Sequence, residues 1–132
     1  MGVSVNNHVT GSITGQNVTG GLFSTTNSSV IYNNSFEGSV TGINNGYPNS
    51  YETGGLIGYS STSYVENSTF FWEINSEGNV GGIAGHHTGL ESYINNNNHF
   101  AALHKGKLLK KLIGDNVPYQ MRNWLLEVII VN

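Results

Sequence analysis

The adjacent imidazoles of His86 and His87 are the first side chains that could do chemistry, because imidazole nitrogens bind metal ions and exchange protons near neutral pH. Neighbouring residues of a β-strand point to opposite faces, so the two rings are poorly placed to share one ion. The chain has no cysteine, which excludes a thiolate site. We therefore predict no metal and no cofactor, and we expect both histidines at the surface of a loop.

Carboxylates are the next candidates, because polysaccharide lyases and hydrolases use paired acids or a cation that stabilises developing charge. Residues 1–100 contain glutamates but no Lys or Arg, and the only aspartate of the chain is Asp115. Glu73 and Glu77 are close enough in sequence to approach one another, yet two glutamates on a solvated face usually only add solubility. The residue types therefore favour a protein that binds over one that catalyses.

Aromatic side chains are the better candidates for ligand contact. Several tyrosines lie in or near residues 46–52, and Phe71 and Trp72 break the alternation of apolar and polar residues, so that one of the two is expected to face outward. Exposed aromatic rings anchor proteins and carbohydrates at binding surfaces. The tyrosines can equally be explained by packing of the loop onto its own coil, without any ligand. This alternative stays open. The predicted binding residues, which include two nearby glutamates, are Tyr47, Tyr51, Tyr59, Tyr64, Phe71, Trp72, Glu73 and Glu77.

Charge divides the chain into two parts. Residues 1–100 carry a net charge of −6, whereas residues 101–132 carry +3, because five cations there face only Asp115 and Glu127. No phosphate could be neutralised along the first part, so we do not expect nucleic acid to bind there. No apolar run approaches the length of a membrane span. The asymmetry predicts two regions with different surfaces, and we place their boundary after Phe100.

A double glycine followed by a hydrophobic residue recurs along the first region. It begins at Gly20, Gly54 and Gly81, with spacings of 34 and 27 residues, and the difference equals the length of the loop 46–52. Two independent markers give one period of about 27 residues. The second marker is an Asn-rich start at Asn6, Asn33, Asn67 and Asn96. The predicted structural positions are Gly20, Gly21, Leu22, Gly54, Gly55, Leu56, Gly58, Gly81, Gly82, Ile83 and Gly85.

This period predicts a mainly β fold, a short right-handed parallel β-solenoid of about three to four coils over residues 1–100, with no helix across residues 17–77. Each coil of such a fold pairs with the next at about 4.8 Å, so equivalent side chains lie above one another. We expect anchor glycines to provide positive φ and close approach of the coils, and asparagines to form left-handed corners. Two inward columns are predicted, one of Leu22, Leu56 and Ile83, the other of Val9, Phe36, Phe70 and Phe100.

The run Gly54-Gly55-Leu56-Ile57-Gly58 resembles the GLUG motif, which is named for its Gly-Leu-any-Gly core. The motif occurs in tandem in bacterial surface proteins such as haemagglutinin-like adhesins. The copy beginning at Gly81 has Ile for Leu, and the copy beginning at Gly20 lacks the final glycine. The resemblance covers roughly residues 17–100. It implies a scaffold fold and implies no catalytic residue.

The composition changes after Phe100, where glycine and asparagine become rarer. Residues 101–113 fit an amphipathic helix with apolar residues on one side and lysines on the other, ended by Gly114. After Pro118, residues 119–132 fit either a second helix or a strand. We expect residues 101–132 to form a basic helical cap over the last coil, because a solenoid exposes unpaired backbone at its ends. The predicted cap residues are Leu108, Leu109, Leu112, Ile113 and Trp124.

The N-terminal end of the predicted solenoid has no comparable cap, since the repeat has begun by Asn6. Either the chain is part of a longer protein, or the open end binds a protein partner or a second copy. One function that fits is a segment of a bacterial surface adhesin, extracellular or on the cell surface. The alternative is a small cytoplasmic protein of phage or mobile-element origin that inhibits a host protein through its acidic face. Carbohydrate binding and ice binding by rows of threonine are minor alternatives.

Overall fold

The computed structural model describes residues 2–44, 51–95 and 97–117. Strands dominate this part of the chain, as the Gly- and Asn-punctuated sequence predicts. The elements are β1 (Val3–Val5), β2 (His8–Gln16), β3 (Val18–Gly20), β4 (Phe23–Asn27), β5 (Val30–Tyr32), β6 (Ser35–Ile43), β7 (Glu52–Gly54), β8 (Ile57–Ser61), β9 (Tyr64–Glu66), β10 (Thr69–Asn75), β11 (Asn79–Gly81), β12 (Ala84–Thr88), α1 (Ser92–Asn95), β13 (His99–His104), β14 (Lys107–Leu108) and β15 (Ile113–Val117).

The strands form four sheets, in which equivalent strands recur along the chain. Sheet A has the order β1-β5-β9, sheet B the order β2-β6-β10-β13-β14, sheet C the order β3-β7-β11 and sheet D the order β4-β8-β12-β15. All pairs are parallel except β13 with β14. Each of the first three circuits of the chain therefore adds one strand to each sheet. We number the circuits from the N-terminus: β1 to β4, β5 to β8, β9 to β12, and α1 to β15.

The fourth circuit departs from this pattern, because its described residues add β13 and β14 to sheet B and β15 to sheet D, but no strand to sheet C or to sheet A. In sheet A, α1 lies against β9, at the position where a fourth strand would join the sheet. Its Ile94 is fully buried and belongs to the same core as Ile31 of β5 and Val65 of β9. The short helix thus covers the edge of sheet A at β9. Within the described ranges, no helix is long and apolar enough to cross a bilayer.

Columns of equivalent side chains form the hydrophobic core. In sheet B, Val9, Phe36, Phe70 and Phe100 occupy one register position on successive strands. The rings of Phe36 and Phe70 are buried and stack with their centroids 5.9 Å apart. This predicted column is confirmed. Its two end members are less buried than the two rings between them, because each has a neighbouring circuit on one side only.

The second predicted column is also confirmed. The amide of Leu22 donates to the carbonyl of Leu56 at 2.9 Å, and the amide of Leu56 donates to the carbonyl of Ile83 at 3.0 Å. Leu56 and Ile83 are fully buried, and Leu22 packs against the same core from the first circuit. Backbone pairing and side-chain stacking therefore support one another at the glycine anchors.

The anchor glycines allow neighbouring segments of the chain to pack closely, but they do not have positive φ. A Cβ on Gly54 would lie 1.8 Å from the carbonyl oxygen of Ile57, and a Cβ on Gly55 would lie 2.4 Å from Cγ of Phe70. Among the described residues, the glycines with positive φ lie at other positions, so the expectation of positive φ at the anchors is wrong. The asparagine corners are as predicted, with φ of 61° at Asn6 and 57° at Asn33.

The predicted helix over residues 101–113 is wrong. Lys105 and Gly106 have φ of 52° and 76°, which turns the chain back on itself between β13 and the antiparallel β14. The amide of Ile83 then donates to the carbonyl of Leu112 at 3.0 Å, so this segment pairs with the third circuit as that circuit pairs with the second. Pairing with an open strand edge satisfies the backbone, whereas a helix there would leave that edge uncovered.

Four of the predicted cap residues, Leu108, Leu109, Leu112 and Ile113, therefore lie outside any helix. Leu108 of β14 is exposed, whereas Leu109, Leu112 and Ile113 pack against the core, as expected of a cover but without a helix. Trp124, like the whole segment after Val117, lies outside the described residues, so the choice between helix and strand after Pro118 stays open.

Candidate functional site

The most unusual backbone conformation on the outer surface is at Trp72 in β10. Trp72 is in register with Gly38 on β6 and Gly11 on β2. The three residues have φ of 128°, 151° and 140°. A Cβ at Gly38 would lie 1.8 Å from the carbonyl oxygen of Gly11, so this position is suited to glycine. The third circuit places the bulkiest side chain there, at a strain of about 1–3 kcal/mol.

The strained residue belongs to an exposed aromatic pair. Phe71 and Trp72 are 42% and 51% exposed, and their ring centroids are 5.7 Å apart with the planes tilted by 51°. Phe70, which precedes the pair, and Ile74, two residues after it, are fully buried. We expected only one of the two aromatic residues to face outward. The positive φ at Trp72 interrupts the alternation of faces, which explains why two consecutive residues are both exposed.

Polar groups surround this pair on sheet B. Phe71 is in register with the exposed Glu37, and Glu73 with Ser39. The Glu73 carboxylate accepts a hydrogen bond of 2.6 Å from the Asn75 side-chain amide, which fixes its position. We call Phe71, Trp72, Glu73 and Glu37 the Trp72 patch. It combines apolar ring faces with carboxylate acceptors, the composition of a surface that binds a partly polar ligand.

The other predicted binding residues lie on different parts of the fold. Tyr51 donates a hydrogen bond of 2.7 Å to the carbonyl of Gly42 and precedes β7. Tyr64 of β9 is 52% exposed and stacks on Tyr93 at 4.1 Å. Glu77 pairs with Lys105 at 2.8 Å. Tyr59 stacks on a histidine in sheet D, and Tyr47 lies outside the described residues. The structure therefore brings together Phe71, Trp72 and Glu73 and separates the remaining candidates.

Sequence reasoning missed a cluster of titratable groups in sheets C and D. Nδ1 of His86 lies 3.3 Å from Oδ2 of Asp115 on β15 and 3.9 Å from Oε1 of Glu52 on β7. Tyr59 stacks on the imidazole with centroids 5.0 Å apart. Burial raises the pKa of Glu52, the nearby His86 lowers it, and Asp115 raises it. Across the described ranges no group of three such residues is arranged to hold a metal ion.

A signal for this cluster was present in the repeat. Leu112-Ile113-Gly114 repeats Leu56-Ile57-Gly58 residue for residue. The residue after each final glycine is therefore equivalent, which places Asp115 over His86 and Tyr59. The helical spacing of the leucines concealed this fourth copy.

His86 and His87 belong to β12 and not to a loop, and His87 is not the surface residue that we expected. It lies in β12 with 0% exposure, and His86 points to the other face. Its Nδ1 is 3.2 Å from Oγ of Ser60, and its Nε2 is 3.0 Å from the carbonyl of Leu90. The imidazole thus holds the chain that leads from β12 towards α1. Burial lowers the pKa of His87, while hydrogen bonds to the Leu90 and Ser60 backbones oppose the shift.

The pH dependence of stability follows from the lowered pKa of His87. Its ordinary value is 6.5, so the unfolded chain binds this proton at a higher pH than the folded chain does. We expect the free energy of unfolding to fall as pH is lowered through 6.5, by up to about 1.4 kcal/mol per pH unit. Urea unfolding at about pH 7.5 and at about pH 5.5, on either side of that value, measures the effect.

The variant His87→Ser serves as the control, because serine already occupies the equivalent position at Ser60. It is expected to lower stability at neutral pH and to remove the His87 contribution to the pH dependence. Glu52 acts in the opposite direction, since its raised pKa makes the folded state more stable as pH falls. An equal loss of stability on acidification in the wild type and in His87→Ser would contradict the assignment to His87.

No protein-family model, no curated protein and no solved structure matches this chain. Its function must therefore be inferred from the geometry of the described residues.

Proposed function

We propose that this chain is a non-enzymatic interaction module built as a short right-handed β-solenoid, a segment of a bacterial surface adhesin-like protein. The solenoid is supported by the four sheets, in which equivalent strands of successive circuits lie parallel to one another. The resemblance of the anchors to GLUG repeats supports the adhesive role, because such repeats act as scaffolds in surface proteins. A stack of parallel strands is a rigid support on which a binding surface can be held in place.

The observation that carries the proposal is the conformation of Trp72. Strained residues persist where the surroundings over-determine them, and they are concentrated at binding and catalytic sites. Trp72 combines this strain with 51% exposure, although the equivalent positions on the first two circuits are Gly11 and Gly38 and the equivalent position on the fourth is the small residue Ala102. Tryptophan is also among the residue types that contribute most to binding energy at interfaces. The Trp72 patch is accordingly the proposed contact surface for a partner protein.

Stability measurements on Trp72 variants test the strain that this proposal uses. Glycine in a strand is ordinarily less stable than alanine by about 0.5–1 kcal/mol. At position 72 we expect the reverse, with Trp72→Gly more stable than Trp72→Ala by about 1–3 kcal/mol, because alanine retains a Cβ at a φ of 128°. Chemical denaturation of both variants gives the difference. Phe71→Gly and Phe71→Ala form the matched control, where the ordinary order should hold.

Binding is tested with a panel of immobilised cell-surface proteins and glycans, measured by biolayer interferometry. At least one specific protein ligand is expected, and Trp72→Gly should weaken its binding at least tenfold while the fold is retained. A tenfold loss corresponds to about 1.4 kcal/mol. Tyr64→Ala, an exposed aromatic residue on sheet A, is the control and should bind as the wild type does. Binding of glycans alone, or protein binding that Trp72→Gly leaves intact, would contradict this assignment.

A further inference from the structure

The Trp72 patch lies on the outer face of sheet B, where β6 and β10 each have a paired strand on both sides. Each of these two strands has three consecutive residues, 37–39 and 71–73, that are exposed or half-buried between buried neighbours. Gly38 is the register partner of Trp72 and has no side chain. The strand next to Trp72 therefore presents bare backbone at this position, which leaves room for part of a ligand.

Two carboxylates flank this position. Glu37 precedes Gly38 on β6. Glu73 follows Trp72 on β10, so the two glutamates lie on opposite sides of the Trp72 position. Glu37 is exposed, and Glu73 is held by the hydrogen bond of 2.6 Å from Asn75. A group bound over Gly38 is then within reach of both carboxylates and of the indole ring.

The charge of these glutamates is not balanced by an ion pair in the described part of the chain. The close ion pairs there engage Glu52, Glu77 and Asp115, and neither glutamate of the Trp72 patch. Residues 1–100 contain no Lys or Arg and carry a net charge of −6. A cation that approaches this face is attracted by the carboxylates and is not repelled by any Lys or Arg of residues 1–100. Charge complementarity therefore favours a positively charged ligand.

The aromatic rings beside the carboxylates indicate which kind of cation fits. The face of tryptophan attracts a cation within about 6 Å of its centroid more strongly than other aromatic rings do. A guanidinium is planar, so it can stack on the indole of Trp72 while its N–H groups donate to Glu37 and Glu73. An ammonium is more strongly hydrated and has no face that stacks. A metal ion fits less well, since the described ranges hold no group of three suitable ligands.

We propose that the Trp72 patch binds an arginine side chain of the partner protein, with the guanidinium held between the indole of Trp72 and the carboxylates of Glu37 and Glu73. The inference rests on the proposed function and deepens it, because it names the chemistry that the partner presents. Arginine is enriched in protein interfaces and, with tryptophan, among the residues that contribute most to binding. Since the carboxylates are near the surface, added salt should weaken the contact.

A small arginine derivative tests the site without a partner. N-acetyl-arginine amide is added to the 132-residue chain, and the indole N–H signal of Trp72 is followed by NMR. Trp72→Gly assigns this signal by its absence. We expect the signal to shift with a Kd on the order of 1–10 mM. N-acetyl-citrulline amide, which is neutral and similar in shape, should bind about tenfold more weakly, and N-acetyl-lysine amide should also bind more weakly than the arginine derivative.

Neutral variants of the glutamates test the carboxylates. Glu37→Gln and Glu73→Gln should each weaken binding of the arginine derivative by about three- to tenfold. Glu91→Gln is the matched control, because it removes the same charge at an exposed position between β12 and α1, and it should bind as the wild type does. Equal binding of the arginine and citrulline derivatives, or of the arginine and lysine derivatives, would overturn the proposal. Unchanged affinity in both patch variants would do so too.

The proposed function and this inference can fail separately. Suppose that a partner protein is lost with Trp72→Gly but is bound normally by the double variant Glu37→Gln/Glu73→Gln. The interaction module would then stand, and the arginine assignment would be overturned. Binding of the arginine derivative at Trp72, without any partner protein that depends on Trp72, would contradict the proposed function and support the guanidinium site.

Discussion

Alanine at position 54 is expected to abolish the folded state or to reduce the free energy of unfolding by at least about 4 kcal/mol. The added Cβ of Gly54→Ala would lie 1.8 Å from the carbonyl oxygen of Ile57 and 2.6 Å from the amide nitrogen of Gly85. Both neighbours are backbone atoms, and Ile57 also donates its amide to the carbonyl of Ile83. The chain can make room only by breaking the pairing between circuits. Circular dichroism and urea denaturation measure the loss.

Gly2→Ala is the matched control for this prediction. A Cβ at Gly2 would lie 3.7 Å from Oγ of Ser29, an ordinary contact on an exposed residue. Its effect on stability should stay within about 0.5 kcal/mol. If Gly54→Ala were as stable as Gly2→Ala, the close approach of backbone segments at the glycine anchors would be incorrect.

The second large effect is expected in the phenylalanine column. Phe70→Ala should lower the free energy of unfolding by about 3–5 kcal/mol, because it removes a large side chain and leaves a cavity. Phe70 is 0% exposed, stacks on Phe36 at 5.9 Å and covers Gly55. Chemical denaturation with a fixed m-value gives the change in stability.

Phe71→Ala removes the same side chain from the adjacent position. Because Phe71 is 42% exposed, it should cost no more than about 1–1.5 kcal/mol. The contrast between neighbours depends on which of them faces inward. Equal effects of the two substitutions would show that the register of sheet B differs from the one described.

Much of the fold could be predicted, because equivalent residues of a repeat pair with one another on successive circuits and so give the register of the strands. The spacing of Gly20, Gly54 and Gly81 identified residues that pair on successive circuits, and the asparagine corners followed from their tolerance of positive φ. The role of the anchor glycines was only half predicted. Their close packing against Ile57 and Phe70 was predicted, whereas the positive φ expected of them is found at other glycines. The backbone conformation of an anchor depends on how the strands fold over one another, which the spacing of residues does not encode.

The fourth circuit was mispredicted because two patterns overlap in one segment. Leucines and lysines at helical spacing favoured a helix over residues 101–113, although Leu112-Ile113-Gly114 follows Ile83 after 29 residues, close to the period of the repeat. Helix propensity is a weak preference, and pairing with the exposed edge of β12 outweighs it. A short segment beside an unpaired sheet edge is better judged by the repeat than by its own periodicity.

The candidate site was predictable only in part. Broken alternation correctly drew attention to Phe71 and Trp72, but the positive φ of Trp72 could not be inferred, since tryptophan itself disfavours it. Glu52, His86 and Asp115 lie far apart in sequence. They meet because β12 and β15 are adjacent strands of sheet D and β7 of sheet C lies beside them, which becomes evident only once the fourth circuit is placed.

The most direct test is a set of methyl contacts measured by NMR in the isotope-labelled chain. Ile57, Ala84 and Ile113 are register partners on β8, β12 and β15, and parallel strands lie about 4.8 Å apart. We predict nuclear Overhauser effects between the methyl groups of Ile57 and Ala84, and between those of Ala84 and Ile113. Absence of the Ala84–Ile113 contact, together with sequential amide contacts typical of a helix across residues 101–113, would contradict the stacking of four circuits.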